Sequence, residues 1–366
     1  MRVVVIGAGL GGLALAQGLR QAGIEVDVSE RDAGVHARFQ GYRIGLSEVG
    51  VAALHGCLPA SSHPVLDAIT GDLAGDRVVL DHQLRRVGDL GPMTALAADR
   101  HVLRHLLLHG VDVRFDRRFT GYQVRQDGRV DVHFADGATT TADLLVGADG
   151  IGSAVRAALA PGIEPEDTGI RFVLGRTPLT DRFARLVPGA GTVVRGPGLT
   201  LMLGLMRFRV PPRQAAPWLP DTADYLRWVC MPDSPRPLPE LVEGWHPDLR
   251  EVLDATSATH TTHLSIRVVR PSTRWPSGPV TLLGDAIHAT SPSGGNGANT
   301  ALRDADLLRR KLIDVARGRI SLLDAVEDYE RQMFDYGAEA VARSLDALPA
   351  FLPGRADQPR VSPVRS

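Results

Sequence analysis

The run "RVVVIGAGLGGLALAQGLRQAG" (2–23) leaves few folds open to the chain that carries it. Its short, uninterrupted apolar start fits a parallel strand buried on both faces. An apolar-faced helix is predicted from Leu10 and ends near Gly23, a residue suited to a C-cap. Between them lies G-x-G-x-x-G, formed by Gly7, Gly9 and Gly12. Gly7 permits the tight turn, Gly9 lets backbone approach a pyrophosphate, and Gly12 allows close helix–strand packing. The helix N-terminus then offers free N–H groups and a partial positive charge to phosphates. "IEVDVSE" (24–30) is the next strand, and it ends in Glu30, where a carboxylate can accept from ribose hydroxyls. The unit predicts a dinucleotide site and leaves NAD and FAD both open.

Composition excludes several classes of function. A formal net charge of -1 gives no reason to expect nucleic acid or an anionic membrane as the main partner. Cys57 and Cys230 are too few for a disulfide framework or a zinc cage, which fits a reduced cytoplasm. Glycines interrupt the N-terminal apolar run, so it does not read as a secretory signal. No stretch of about 20 apolar residues follows it. The expectation is a cytoplasmic protein, monomer or homodimer, and 366 residues suffice for two lobes.

Past Glu30 the chain is irregular and glycine-dotted until a short helix in "VGVAALHGCL". A second helix is predicted from about Asp99 in "DRHVLRHLLLHG", followed by strands with a hairpin at 126–129, where Asp-Gly marks the turn. "LLVGADGIGSAVR" (144–156) repeats the strand–turn–helix logic, although Asp149 in isolation reads first as a helix cap. From 166 to 275, β-rich runs alternate with proline-heavy loops, which predicts a separate antiparallel lobe. A long helical stretch is predicted over 298–348, and the Pro-, Arg- and Ser-rich residues 353–366 are expected to be disordered.

The third glycine-rich turn is "GDAIHATSPSGGNGANTAL" (284–302). The apolar run "VTLLGD" ends in Asp285, and Pro292, Gly294, Gly295 and Gly297 lead into a helix whose N-terminus carries no acidic cap. Such an end stabilises negative charge, for example on an anionic ring.

Together, "GAGLGG" with "SER" (29–31), "GADGIGSAVR" and "GDAIHATSPSGGNGAN" resemble the single-component FAD-dependent aromatic hydroxylases, the para-hydroxybenzoate hydroxylase-like flavoprotein monooxygenases. The resemblance covers about residues 1–348. It implies an α/β fold in which a Rossmann-like FAD-binding domain (1–72, 97–165 and 276–348) is interleaved with a β-rich substrate-binding domain (73–96 and 166–275), followed by long C-terminal helices. It places Gly7, Gly9, Leu10, Gly12, Glu30 and Arg31 at the adenosine diphosphate end of FAD, and Asp149 beside the flavin. Gly284 and Asp285 fall at the ribityl chain, and Pro292, Gly295, Gly297, Ala298 and Asn299 along the ring. Arg43 and Arg100 match further flavin contacts. Asn296 departs from the Gln common in relatives but keeps an amide.

The implied reaction consumes NADH or NADPH and O2 and inserts one oxygen atom, through a flavin hydroperoxide, into a small organic substrate, aromatic or polycyclic and largely apolar. An FAD-dependent reductase on the same fold, or an FAD-binding protein without turnover, is the alternative. The strand "LTLMLGLM" (199–206) is the expected pocket wall, and no catalytic acid or base stands out. His101, His105 and His109 recur at i, i+4 and i+8, but they fall on the wetter side of their helix, and no metal is expected.

Overall fold

The computed structural model describes residues 1–37 and 41–352, so the expected tail at 353–366 lies outside the described residues. Sixteen strands are present among them: β1 Arg2–Ile6, β2 Glu25–Ser29, β3 Arg43–Leu46, β4 Thr70–Asp81, β5 Arg86–Asp99, β6 Val113–Arg114, β7 Phe119–Val124, β8 Val130–Phe134, β9 Thr139–Ala142, β10 Leu144–Gly147, β11 Glu166–Pro178, β12 Gly191–Gly196, β13 Leu199–Met206, β14 Tyr225–Pro232, β15 Thr261–Val268 and β16 Val280–Leu282.

Five of them form a parallel sheet in the order β16-β10-β1-β2-β6. Val3, Val4, Val5, Leu144, Leu145 and Val146 are fully buried, as an all-parallel sheet covered on both faces requires. The helix Leu10–Gln21 packs beside the helix Gly297–Ala316, almost 300 residues later in the chain. Their contact is close because the first helix is smooth: a methyl added at Gly11 would lie 3.1 Å from the Ala301 carbonyl oxygen, and one at Gly18 would lie 2.1 Å from Arg309 Cδ.

Eight strands form the second sheet, in the order β15-β11-β14-β13-β12-β4-β5-β3. Most of its pairings are antiparallel, as expected, but β12 runs parallel to β4. That pairing joins chain segments about 115 residues apart, so no hairpin signal announces it. β3 belongs to this sheet through its antiparallel pairing with β5, which sets Arg43 opposite Asp99. β7, β8 and β9 form a separate three-stranded meander. The predicted helical stretch at 298–348 is two helices, Gly297–Ala316 and Leu322–Ala347, separated by a turn in which Gly318 has a positive φ of 67°.

β13 divides the second lobe into two cores. Leu199, Leu201 and Leu203 pack with Trp228, Cys230 and Trp245 on one side. Met206, with Met202 against it, packs on the other side with Tyr42, Tyr225, Val229 and Met231.

Candidate functional site

Four neighbouring strands of the parallel sheet end at the same level. Ile6 pairs with Gly147 and with Ser29, and Gly147 pairs with Leu282. Backbone bonds stitch the turns that follow: Gly7 N–H donates to the Ser29 carbonyl at 2.8 Å, Ala148 N–H to Ile6 at 2.7 Å, and Leu283 N–H to Gly147 at 2.9 Å. The three glycine-rich turns and Glu30 are thereby brought to one carboxyl edge, where open α/β sheets place their ligands.

The first turn has the geometry its glycines predict. Gly7 has a φ of 109°, and a methyl on it would sit 2.3 Å from the Ala148 carbonyl oxygen. A methyl at Gly12 would meet the Gly7 carbonyl oxygen at 2.2 Å, whereas one at Gly9 would meet nothing within 4 Å. Gly9 caps the helix that opens at Leu10, with no side-chain cap and no acid in the first turn.

Glu30 is buried, and part of its acceptor capacity is taken by backbone. Ala8 N–H donates to its Oε2 at 2.9 Å and Asp32 N–H to its Oε1 at 3.0 Å. A carboxylate has about four lone-pair sites, so acceptor capacity remains. Arg31, just beyond, is exposed. Sequence reading missed Arg104, only 2% exposed, whose Nε donates to the Ala8 carbonyl at 2.8 Å and whose Nη1 donates to Val35 at 3.1 Å. Its guanidinium lies 3.9 Å from Glu30 and so holds the glycine-rich turn and the following loop to one helix, Arg100–Leu108.

Asp149 behaves as the cap it resembled. Its carboxylate accepts from Ser153 Oγ, from Ala154 N–H at 2.7 Å and from Val155 N–H at 3.3 Å, fixing the helix Ala154–Leu159. Burial raises its pKa, and the Ser153 hydrogen bond works against that shift.

Asp285 is exposed at the end of β16, while the residues around it are buried. A methyl at Gly297 would lie 2.8 Å from Thr290 Oγ1 and 3.8 Å from Asp285 Oδ1, so this carboxylate stands at the start of the helix Gly297–Ala316. That helix has no side-chain cap and no acid in its first turn. Ala298 is half-buried in its first turn, and Pro292 and Gly295 are exposed on the preceding loop. Asn299 is already engaged: its amide donates to the Gly45 and Gly295 carbonyls at 2.9 and 3.2 Å and accepts from Ser47 N–H at 2.9 Å. It ties the third turn to β3.

Beneath Gly284 lies a network that sequence reading did not single out. Asp304, fully buried, accepts from Gly284 N–H at 2.7 Å and from Tyr336 Oη at 2.5 Å, and its Oδ2 lies 2.6 Å from His288 Nε2. Burial lowers the His288 pKa, but the charge and hydrogen bond of Asp304 outweigh it, and the result lies above the ordinary value.

Arg43 lies on β3 of the second sheet, and Arg100 directly follows β5 of that sheet. Arg100 opens its helix, and its N–H donates to the Tyr42 carbonyl at 3.1 Å. Arg43 reaches across to β13, where Nη1 donates to the Leu205 carbonyl at 3.2 Å and where a methyl at Gly204 would lie 2.7 Å from Nη2. Its buried Nε has no partner among the described residues. In the same sheet Arg227 pairs with Arg176 and with Gly204, so these three positions share a face. Arg176 lies 5.4 Å from the Tyr42 ring centre and 5.5 Å from that of Tyr225. Burial, then Arg227, lowers the Arg43 pKa to about 9, and burial lowers that of Arg227. Among the described residues no carboxylate forms an ion pair with Arg43 or Arg227. Tyr225 donates to Asp99 at 2.7 Å, and the same carboxylate caps the Arg100 helix. The expected wall "LTLMLGLM" is therefore split: Met202, Gly204 and Met206 face this arginine–tyrosine surface, while the leucines face the other core.

Comparison with known proteins agrees with this arrangement. The chain matches the FAD binding domain family over residues 1–344. The dual O-methyltransferase/FAD-dependent monooxygenase CTB3 of Cercospora beticola is 30% identical over 90% of this chain, which spans only 44% of that longer protein. The 6-hydroxynicotinate 3-monooxygenase of Pseudomonas fluorescens is 28% identical, with 90% of this chain and 87% of that protein covered. A solved structure from Photorhabdus luminescens subsp. laumondii, assigned as an FAD-containing monooxygenase, superposes with a TM-score of 0.84 at 32% identity, covering 96% of this chain and 98% of that one. The chain belongs to the FAD binding domain family, and its cofactor is FAD.

Proposed function

We propose that the protein is an FAD-dependent monooxygenase that consumes NADH or NADPH and places one oxygen atom from O2 on an aromatic substrate bearing an acidic group. One observation carries the cofactor half of this reading: the three glycine-rich turns and Glu30 converge on one sheet edge. Two uncapped helix N-termini, the open space over Gly9 and an exposed Asp285 fit an extended molecule with a diphosphate at one end and a hydroxylated chain at the other.

Gly7, Gly9, Leu10 and Gly12 would hold the diphosphate, Glu30 and Arg31 the adenosine ribose, and Asp285 with Gly284 the ribityl chain. Gly297 and Ala298, at the start of their helix, supply positive potential to the ring, with Pro292 and Gly295 beside it. Arg100 adds a cation near the junction of the sheets. Asp149 and Asn299 act one step back, by holding the turns in place. When bound, FAD takes electrons from the reduced nicotinamide and passes them to dioxygen. The protein's own part is to orient the partners and to keep the reacting region dry.

The second half rests on the face formed by Met202, Met206, Tyr225, Arg43 and Arg227. Cationic side chains with lowered pKa values and no carboxylate partner lose stability by being there unless an anion joins them. An aromatic acid or phenolate satisfies the guanidinium groups while its ring meets the methionines. This narrows the largely apolar substrate expected from sequence. The division into a cofactor domain (1–72, 97–165 and 276–348) and a substrate domain (73–96 and 166–275) fits the two large sheets, with β3 and the ends of β4 and β5 crossing between them.

A panel of aromatic acids and their neutral esters, assayed for stimulated NAD(P)H oxidation under isotopically labelled dioxygen, tests the proposal. Product carrying one labelled oxygen, with acids preferred over esters, is expected. Turnover without label would instead identify a reductase, and the absence of stimulation across the panel would favour a binding protein.

A further inference from the structure

His36, His101 and His105 converge on the outer side of the Arg100–Leu108 helix, and each offers a ligand nitrogen within 4.8 Å of the other two. His101 and His105 lie one helical turn apart on the same face, with ring centres 4.3 Å apart. His36 comes from the loop that follows Glu30, and its ring lies 5.0 Å from that of His101 and 5.6 Å from that of His105. The expected third member of a helical series, His109, is not part of the group; it stacks on Trp218 at 3.9 Å.

The chemistry of the three rings suits a metal. His105 Nδ1 sits 2.9 Å from the His101 carbonyl oxygen, which can only accept, so Nδ1 carries the proton and Nε2 presents its lone pair. Tetrahedral zinc with bonds of about 2.0–2.1 Å needs ligand nitrogens about 3.4 Å apart. The three candidate nitrogens lie within 4.8 Å of one another, so binding draws them together, and His36 is exposed on its loop. The nearby guanidinium of Arg104 opposes a cation, but it is bound to two carbonyls and lies beside Glu30, and the Asp99 carboxylate acts on His101 in the opposite sense.

We propose that His36, His101 and His105 form a three-imidazole site for a divalent transition ion of the zinc class, which staples the loop 31–37 to the Arg100–Leu108 helix. Three protein ligands leave a coordination position for water, and imidazole donors favour Zn2+, Ni2+ and Cu2+ over Mg2+ or Ca2+. The staple spans the glycine-rich turn, because the same loop and helix are already joined through Arg104 to Ala8 and Val35. Occupancy of the site therefore slows the exchange of whatever the turn holds. The metal site itself stands independently of the proposed reaction.

The test is a calorimetric titration of tag-free, flavin-loaded protein with Zn2+, alongside Co2+ titration read by its ligand-field absorption. One ion per chain is expected, with affinity reduced more than about tenfold in His36→Ala and in His105→Gln. His133→Ala, a half-buried histidine on the three-stranded meander, should bind as the parent does. Zn2+ should also slow FAD release from the parent and leave release from His36→Ala unaltered. Absence of saturable binding, or parent-like affinity in His36→Ala, overturns the site, and release rates indifferent to Zn2+ overturn the staple.

Discussion

Asp304 Oδ2 accepts the backbone N–H of Gly284 at 2.7 Å, so a carboxylate inside one helix fixes the turn that presents Asp285. With Tyr336 and His288 on the same carboxylate, the network anchors the third glycine-rich turn from below. Asn in its place removes the charge and turns one acceptor oxygen into a donor within a fully buried network. Asp304→Asn is expected to lower unfolding free energy by about 3 kcal/mol, measured by denaturant titration at neutral pH.

The same pair predicts a pH dependence. The His288 pKa is raised in the folded protein, so its contribution is complete below the unfolded value of about 6.5 and is lost as pH rises through the folded value. Stability of the parent should decline over that upper window. His288→Gln should show a flatter profile there, as measured by thermal unfolding in a series of buffers.

Two glycines of the first turn should separate folding from binding. Gly12→Ala forces a methyl to within 2.2 Å of the Gly7 carbonyl oxygen, so the flavin-free protein should unfold at a lower temperature. Gly9→Ala meets nothing within 4 Å and should leave that temperature unchanged while weakening FAD binding more than about tenfold. Thermal unfolding of the flavin-free protein, paired with FAD titration by fluorescence quenching, distinguishes the two.

Arg227 predicts a trade-off. Replacing it by Met removes a desolvated cation that has no carboxylate partner among the described residues, so stability should stay level or rise. KM for an acidic aromatic substrate should rise about 10- to 100-fold, with a much smaller change for its neutral ester. A parallel rise for both would show that Arg227 only shapes the pocket.

The glycine-rich sheet edge is legible in the sequence because each part of it is local. A strand, a glycine pattern and a helix start occupy one short window, as in 2–23 and 280–302, and their spacing carries the geometry. Arg104 was not legible for the opposite reason. It borders the apolar arc of Val102, Leu103, Leu106 and Leu107, where an arginine usually extends to water, and its partners are 96 and 69 residues away. Its place at the edge of that arc was the only local signal. Asp304 looked like one more acid on an amphipathic helix, although it is 0% exposed. The parallel β12–β4 pairing and the four-residue β3 depend on long-range contacts that periodicity does not record. The metal candidate shows the same limit, since its third histidine comes from a loop and not from the helical series.

If three distant turns form one FAD site, Asp285 must contribute to holding the cofactor. Its carboxylate is exposed, stands where the third turn meets the helix start, and acts on the Asp304 network only through its charge on His288. The decisive measurement is the FAD dissociation constant of Asp285→Ala beside that of the parent, with unfolding of both flavin-free proteins as the control. Matching unfolding temperatures are expected, with FAD binding weakened by more than about tenfold, the loss of one or two good hydrogen bonds. A variant that folds like the parent and holds FAD equally tightly would contradict the single-site arrangement.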